Sequence, residues 1–289
     1  KVPSAAYGEN EISIASVDDF ALLAITWNSQ GYFSADAGNI NSQTWKKLFT
    51  KNITLAADID LTGTGIIGLT RDNRIGNDTA YSYQGTFDGG GKTIIMAAGE
   101  TFGLRGESAA SGEGSGQLYS YCNDSNCHTD IGLFAQAGGS IKDLVIKGNI
   151  TFSTYGGWGN AGGIAGRTCG TSVSVQNVRA EETITLMQAA DGKITYIGGF
   201  FGENNVSMVT IDQTSYAGAA IQLNNVASGA GDNVHAGGMI GTSQVNVTID
   251  CNSAAVGGSI TSDSTENLYC GGMIATIQNG GTVNIRDLS

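Results

Sequence analysis

The chain has 289 residues, a formal net charge of −12 and only 14% charged residues, with 44 glycines and one proline. That balance repels nucleic-acid phosphates and anionic membrane surfaces, and no run of about 18 apolar residues is present to form a membrane helix. A hydrophobic content of 40% with so few charges excludes a disordered acidic chain, and the single proline excludes collagen-like or proline-rich linker architecture.

The chain opens Lys1-Val2-Pro3 without methionine, which reads as a trimmed start with any export signal outside it. "SVDDFALLAITWNSQG" then predicts an amphipathic helix. Ser16 is its N-cap, Asp18 and Asp19 lie in the first turn, and Phe20, Leu23, Ala24 and Trp27 share a face, with a stop at Gly31. Ahead of a run of strands, such a helix is expected to cover the open end of a stacked β-structure.

"KNITLAADIDLTG" and "YQGTFDGGGKTIIM" read as strands. Within the second, Gly91-Lys92-Thr93 imitates the end of a phosphate-binding loop. The spacing fails, because Thr86 holds the slot where the first glycine belongs and Gly85 is one place too early. Thr93–Met96 continues as strand rather than opening a helix, so the glycines are expected to form a turn. Asp58, Asp60, Asp72, Asp78 and Asp88 cluster in this part of the sequence, and Asp58 and Asp60 are expected to fix turns.

Gly99 to Asp130 has no period and reads as an inserted loop. Tyr119 and Tyr121 stand near its tip, where Cys122 and Cys127 flank a polar turn short enough to close as a disulfide. A zinc site would need four ligands, and only His128 and His235 are available to help. A second excursion, Ser153 to Asn160, sets Tyr155 and Trp158 among glycines. Aromatic side chains on loops serve as platforms for a sugar or peptide. They serve equally as local packing under a loop. These four aromatics are the candidate binding residues.

From Gly132 onward the chain repeats. Gly132, Gly163, Gly199, Gly238 and Gly272 each precede an apolar pair, at spacings of 31, 36, 39 and 34 residues, within the solenoid range. Each unit reads as three short strands: the Gly-Gly-apolar stretch, an alternating run such as "SVSVQNV", and a run such as "ETITL". Ile164, Phe200, Met239 and Met273 are expected to stack in one interior row, and Val175, Ile211, Ile249 and Ile285 in another. Asp143, Asn177, Gln213, Cys251 and Asp287 occupy one slot two residues further on, expected as a structural corner ladder.

The resulting expectation is an all-β parallel β-helix of three strands per coil with an N-terminal helical cap. Residues 1–95 form the cap and first coils, 96–130 the inserted loop and 131–289 the repeated coils, all one continuous domain. Because the sequence stops within a repeat at "VNIRDLS", the natural protein is expected to continue or to pack this end on something.

"LAADIDLTG", "YQGTFDGGGKTI", "IGLFAQAGGSIKDLVIKG" and units of the type "AGGIAG…VQNV", in this order, resemble the GLUG-motif repeat proteins of bacterial surfaces. The resemblance implies a right-handed parallel β-helix, a secreted or cell-surface location and adhesin-like roles, and carries no catalytic motif. The leading expectation is thus a non-catalytic extracellular module that binds a glycan or a host or partner protein. A carbohydrate-active β-helix lyase or hydrolase is the alternative, since such sites gather carboxylates, often with Ca²⁺. A passive stalk is the third. No catalytic residue, metal ligand or cofactor is assigned, Ca²⁺ has no support in the residues, and neither nucleic acid nor membrane insertion is expected.

Overall fold

The computed structural model describes residues 11–28, 48–66, 68–69, 82–96, 102–104, 128–154, 158–188, 194–224, 234–245, 247–250, 256–263, 268–278 and 282–286. These build a parallel β-solenoid of about four turns with one short helix. Every strand pairing among the described residues is parallel, joining each segment to its counterpart one repeat later.

Interior rows follow from the period-two alternation, because every second side chain points to the same face and parallel stacking keeps equals in line. Ile53 pairs with Phe87, Phe87 with Ile141, Ile141 with Val175, and Val175 with Ile211. All five are fully buried. Ile164, Phe200 and Met239 are likewise fully buried, and Met273 packs on the same core from a partly buried position. Ile249 pairs with Ile285 in the last described turn. The first expected interior row is therefore present, and the second is present at Val175, Ile211 and Ile249, the side chain of Ile285 lying outside the described residues.

The structure refines the unit. The glycine pair is a bend, and a separate ladder lies on each side of it. The ladder before the bend comprises His128–Ile131, Trp158–Gly162, Thr195–Gly198, Val234–Gly237 and Tyr269–Gly271. The ladder after it is formed by the starts of Phe134–Thr154 and Ala165–Ala180, then Phe201–Asn204, Ile240–Ser243 and Ile274–Ile277. A third glycine explains why the two ladders can lie back to back. A Cβ on Gly202 would stand 2.6 Å from Ala161 N, 2.7 Å from Gly166 O and 2.8 Å from Tyr196 O. Backbone atoms cannot rotate aside, so Gly202→Ala is expected to cost about 3 kcal/mol, the upper end for overpacking. A urea midpoint lowered at unchanged slope would show it, and an unaltered midpoint would disprove the close approach.

The "GGGKT" segment lies inside the strand Thr86–Met96, where pairing to the next turn jumps from Asp88–Lys142 to Lys92–Leu144. Gly90 and Gly91 have φ of +56° and +72°, and the corresponding corners one and two turns later are Asp143 and Asn177, with φ of 50° and 51°. Asp and Asn tolerate this left-handed conformation better than other non-glycine residues. Asn177 Nδ2 donates to Asp143 Oδ1 at 2.8 Å, which makes the expected corner ladder real at these two turns. At the following turn the contact comes from Asp212, whose Oδ1 accepts the Asn177 N–H at 3.0 Å, and not from Gln213. Cys251 and Asp287 lie outside the described residues.

The helix spans Val17–Asn28. Ser16 Oγ accepts the Asp19 N–H at 3.1 Å while Asp19 Oδ2 accepts the Ala15 N–H at 3.0 Å, a reciprocal cap. Phe20, Leu23 and Ala24 are buried in the common core. The helix follows directly on Glu11–Ile14, the terminal strand of the largest sheet. Trp27 lies in the helix, and its side chain and Gly31 fall outside the described residues. Two strands, Phe102–Leu104 and His128–Ile131, occupy or overlap the segment 96–130 read as a loop. Its aperiodic composition hid them, since each is held by pairing with a later turn.

Candidate functional site

Two features are candidates for function: an edge from which the connections leave the solenoid, and a polar seam behind the glycine bends that is buried around Arg167.

The edge is defined by register. Strands of the ladder that closes each turn end at Leu104, Thr154, Gln188, Leu223 and Ser262. Leu104 pairs with Thr154, Ser153 with Gln188, and Leu223 with Ser262. The chain re-enters the next ladder at His128, Trp158, Thr195, Val234 and Tyr269. Of these, His128 pairs with Trp158, Gly159 with Thr195, and Thr195 with Val234. All five connections therefore start and finish along the same border. The two excursions singled out in the sequence return at directly paired positions of neighbouring turns. Trp158 is the first residue of its strand; its side chain, Tyr155, Tyr119, Tyr121, Cys122 and Cys127 lie outside the described residues. Cys169, buried, and Cys270, exposed, are free thiols.

The seam consists of two rows. Asp130, Asn160, Tyr196, His235 and Tyr269 are in register before the bend, and Gln136, Arg167, Glu203, Thr242 and Thr276 after it. Arg167 is 1% exposed and sits between two carboxylates, with Nε 2.8 Å from Glu203 Oε2 and Nη2 3.6 Å from Asp130 Oδ1. Asn160 Nδ2 donates to Asp130 Oδ1 at 2.7 Å and to Glu203 Oε2 at 3.2 Å. Burial is the largest influence on Arg167 and disfavours its charge, yet Asp130 and Glu203 outweigh it and hold the guanidinium above its ordinary range. Burial raises Glu203, and Arg167 only partly offsets that. Further along, His235 stacks on Tyr269 with centroids 4.6 Å apart, and its Nδ1 lies 2.6 Å from Thr276 Oγ1. Burial pushes this imidazole down to about 4.

Sequence reasoning missed the seam. Its signal was present as a column: every member of the second row stands four residues after a marker glycine, and every member of the first row two residues before a glycine.

The carboxylates of the early turns are committed to the backbone. Asp58 Oδ1 accepts the Thr93 N–H at 2.8 Å and Asp60 Oδ1 the Thr62 N–H at 2.9 Å. Asp88 accepts the Gly90 N–H at 2.9 Å and pairs with Lys142 at 2.7 Å. Hydrogen bonds from Lys142 and Gly90 hold its carboxyl below the usual range. Asp72 and Asp78 lie outside the described residues. Among the described residues no group of three or more His, Cys, Asp or Glu is placed to hold a metal ion, and no helix is long and apolar enough to cross a membrane.

Comparison with family models, curated proteins and solved structures returns no match. The likeness to GLUG-motif proteins therefore rests on the residues quoted for it and on the parallel solenoid.

Proposed function

We propose that this chain is a GLUG-type surface module of a bacterium, a right-handed parallel β-helix displayed outside the cell. It acts as a non-catalytic adhesin-like binder of a glycan or of a host or partner protein. The observation that carries the proposal is the shared border of the five connections. A rigid ladder that returns every loop to one edge is the arrangement by which scaffolds present recognition residues. Tyr119, Tyr121, Tyr155 and Trp158 all belong to the two connections that return at His128 and Trp158. The helix Val17–Asn28 acts as the cap of the first coil, a role supported by its buried Phe20 and its position next to the terminal strand. The charged seam is buried, and Asp58, Asp60 and Asp88 are spent on turns and an ion pair, which favours binding over hydrolysis or elimination.

Binding to arrays of glycans and extracellular-matrix proteins tests this reading. The expected result is a hit that weakens at least tenfold in Tyr155→Ala/Trp158→Ala or in Tyr119→Ala/Tyr121→Ala, with the melting temperature retained. Product release from an acidic polysaccharide in the presence of Ca²⁺ would replace it with the lyase or hydrolase reading. Silence in both assays would leave a passive stalk.

A further inference from the structure

The seam contains one contact that its ion pairs do not explain. Cys169 follows Arg167 by two residues on the same strand and is 4% exposed, and its Sγ lies 3.6 Å from Oε1 of Gln136 on the preceding turn. The nitrogen of the same carboxamide is also fixed, because Gln136 Nε2 donates to Asp130 Oδ2 at 2.8 Å. A nucleophile, an acyl group and a proton-carrying group at the leaving atom are the three parts that acyl transfer requires. With a C=O bond of about 1.2 Å, the amide carbon lies within about 4.8 Å of the sulfur. A modest side-chain rotation then brings the pair to the roughly 3–3.5 Å of an attack geometry.

We propose that Cys169 and Gln136 condense to an intramolecular thioester that links two consecutive turns of the solenoid. A sulfur electron pair forms the Sγ–Cδ bond, the Cδ–Nε2 bond breaks with its electrons going to nitrogen, and ammonia leaves. The thiol proton ends on Nε2, which leaves as ammonia, and the Asp130 carboxylate holds that nitrogen in place by accepting its N–H. No oxidant or co-reactant enters, and the inference is independent of what the loops bind.

The surroundings suit such a bond. Burial, the largest influence on Cys169, raises its thiol, while the Arg167 charge favours the thiolate and Ser82 contacts the sulfur. Gln136 is only half-buried, so ammonia has a way out, whereas the buried sulfur is kept from water that would hydrolyse the product. After ammonia departs, Asp130 retains Asn160 at 2.7 Å and Arg167 at 3.6 Å, so its charge is not stranded.

Intact-mass spectrometry and peptide mapping of the purified chain test the proposal. The expected mass is one ammonia below that of the sequence. Cys169 should resist alkylation in the unfolded protein, and one cross-linked peptide pair should carry Gln136 and Cys169. Methylamine should add once, at Gln136, and release one thiol, and Cys169→Ala should restore the full mass. Linear peptides with Cys169 fully alkylated would overturn the proposal. So would a deficit that persists in Cys169→Ala, which would place the loss at a site such as Asn279-Gly280. The wild-type result is read on unfolded protein, so it does not depend on how well the variant folds.

Discussion

Replacing Arg167 with methionine is expected to destabilise the fold by about 3–5 kcal/mol, the range for breaking a buried ion pair from one side. Methionine fills much of the volume, so the loss is electrostatic. Asp130 and Glu203, 2% and 5% exposed, would face each other across Asn160 without a cation. Burial already raises Glu203, and without the guanidinium that offsets it the carboxyl holds its proton more tightly, so the variant should regain stability as pH falls towards 4. Adding Asp130→Asn and Glu203→Gln to Arg167→Met should recover most of the loss, because the seam then holds no uncompensated charge. Urea titrations at pH 7 and pH 5 measure all three effects. A single-variant loss below about 1 kcal/mol, the scale of an exposed pair, would show that the seam is hydrated and the ion pairs incidental.

The second large effect is expected from Glu182. This carboxyl is fully buried, neither oxygen has a hydrogen-bond partner on another residue, and it occupies space that only a glycine at 163 leaves open, since a Cβ there would lie 2.1 Å from Oε1. Burial raises it from 4.5 to about 8, with a smaller contribution from the neighbouring Glu181. Between those values the folded chain holds a proton that the unfolded chain has released, so stability falls as pH rises from about 4.5 to about 8 and then levels off. The total is on the order of 5 kcal/mol at about 1.4 kcal/mol per unit. His235 works in the opposite sense. Its folded value of about 4 lies below 6.5, so stability is lost as pH falls through that interval. The two slopes oppose each other between about 4.5 and 6.5, which leaves the window from 6.5 to 8 to Glu182. Glu182→Gln should flatten this window and steepen the loss of stability as pH falls from about 6.5 to 4.5, where the His235 slope then acts unopposed. A wild-type midpoint constant from pH 6.5 to 8 would mean that Glu182 has found a partner or water.

How far the sequence could be read depended on which physical signal each residue carries. Ile53, Phe87, Ile141 and Val175 announce themselves by alternation, since inward positions of a stacked strand must be apolar. Ser16 and Asp19 announce a helix start through capping chemistry that is local in the chain. Asp143 and Asn177 were legible as corner residues because few side chains tolerate positive φ. The glycine pair was read as part of a strand because apolar neighbours flank it, and a bend looks the same as a strand when pairing partners lie a full repeat away. Phe102–Leu104 was hidden for the same reason. Arg167, Asp130 and Glu203 were invisible to any rule that places charge outside, and their burial is a property of three separate turns meeting. The loop aromatics were selected for exposure on excursions, and the fold adds what spacing alone could not: the border at which those excursions return.

That border has a consequence for how such a chain can change. Neighbouring turns are separated by the strand spacing of about 4.8 Å, so the connections emerge like teeth of a comb at fixed pitch. The region from Leu104 to His128 and the step from Thr154 to Trp158 show that a connection can be long or very short between equivalent positions. Lengthening one tooth costs only the slow logarithmic growth of loop entropy and leaves its neighbours in register. Each tooth is thus a separately editable unit, and a ligand with its own repeat can be matched by adjusting several teeth without touching the spine.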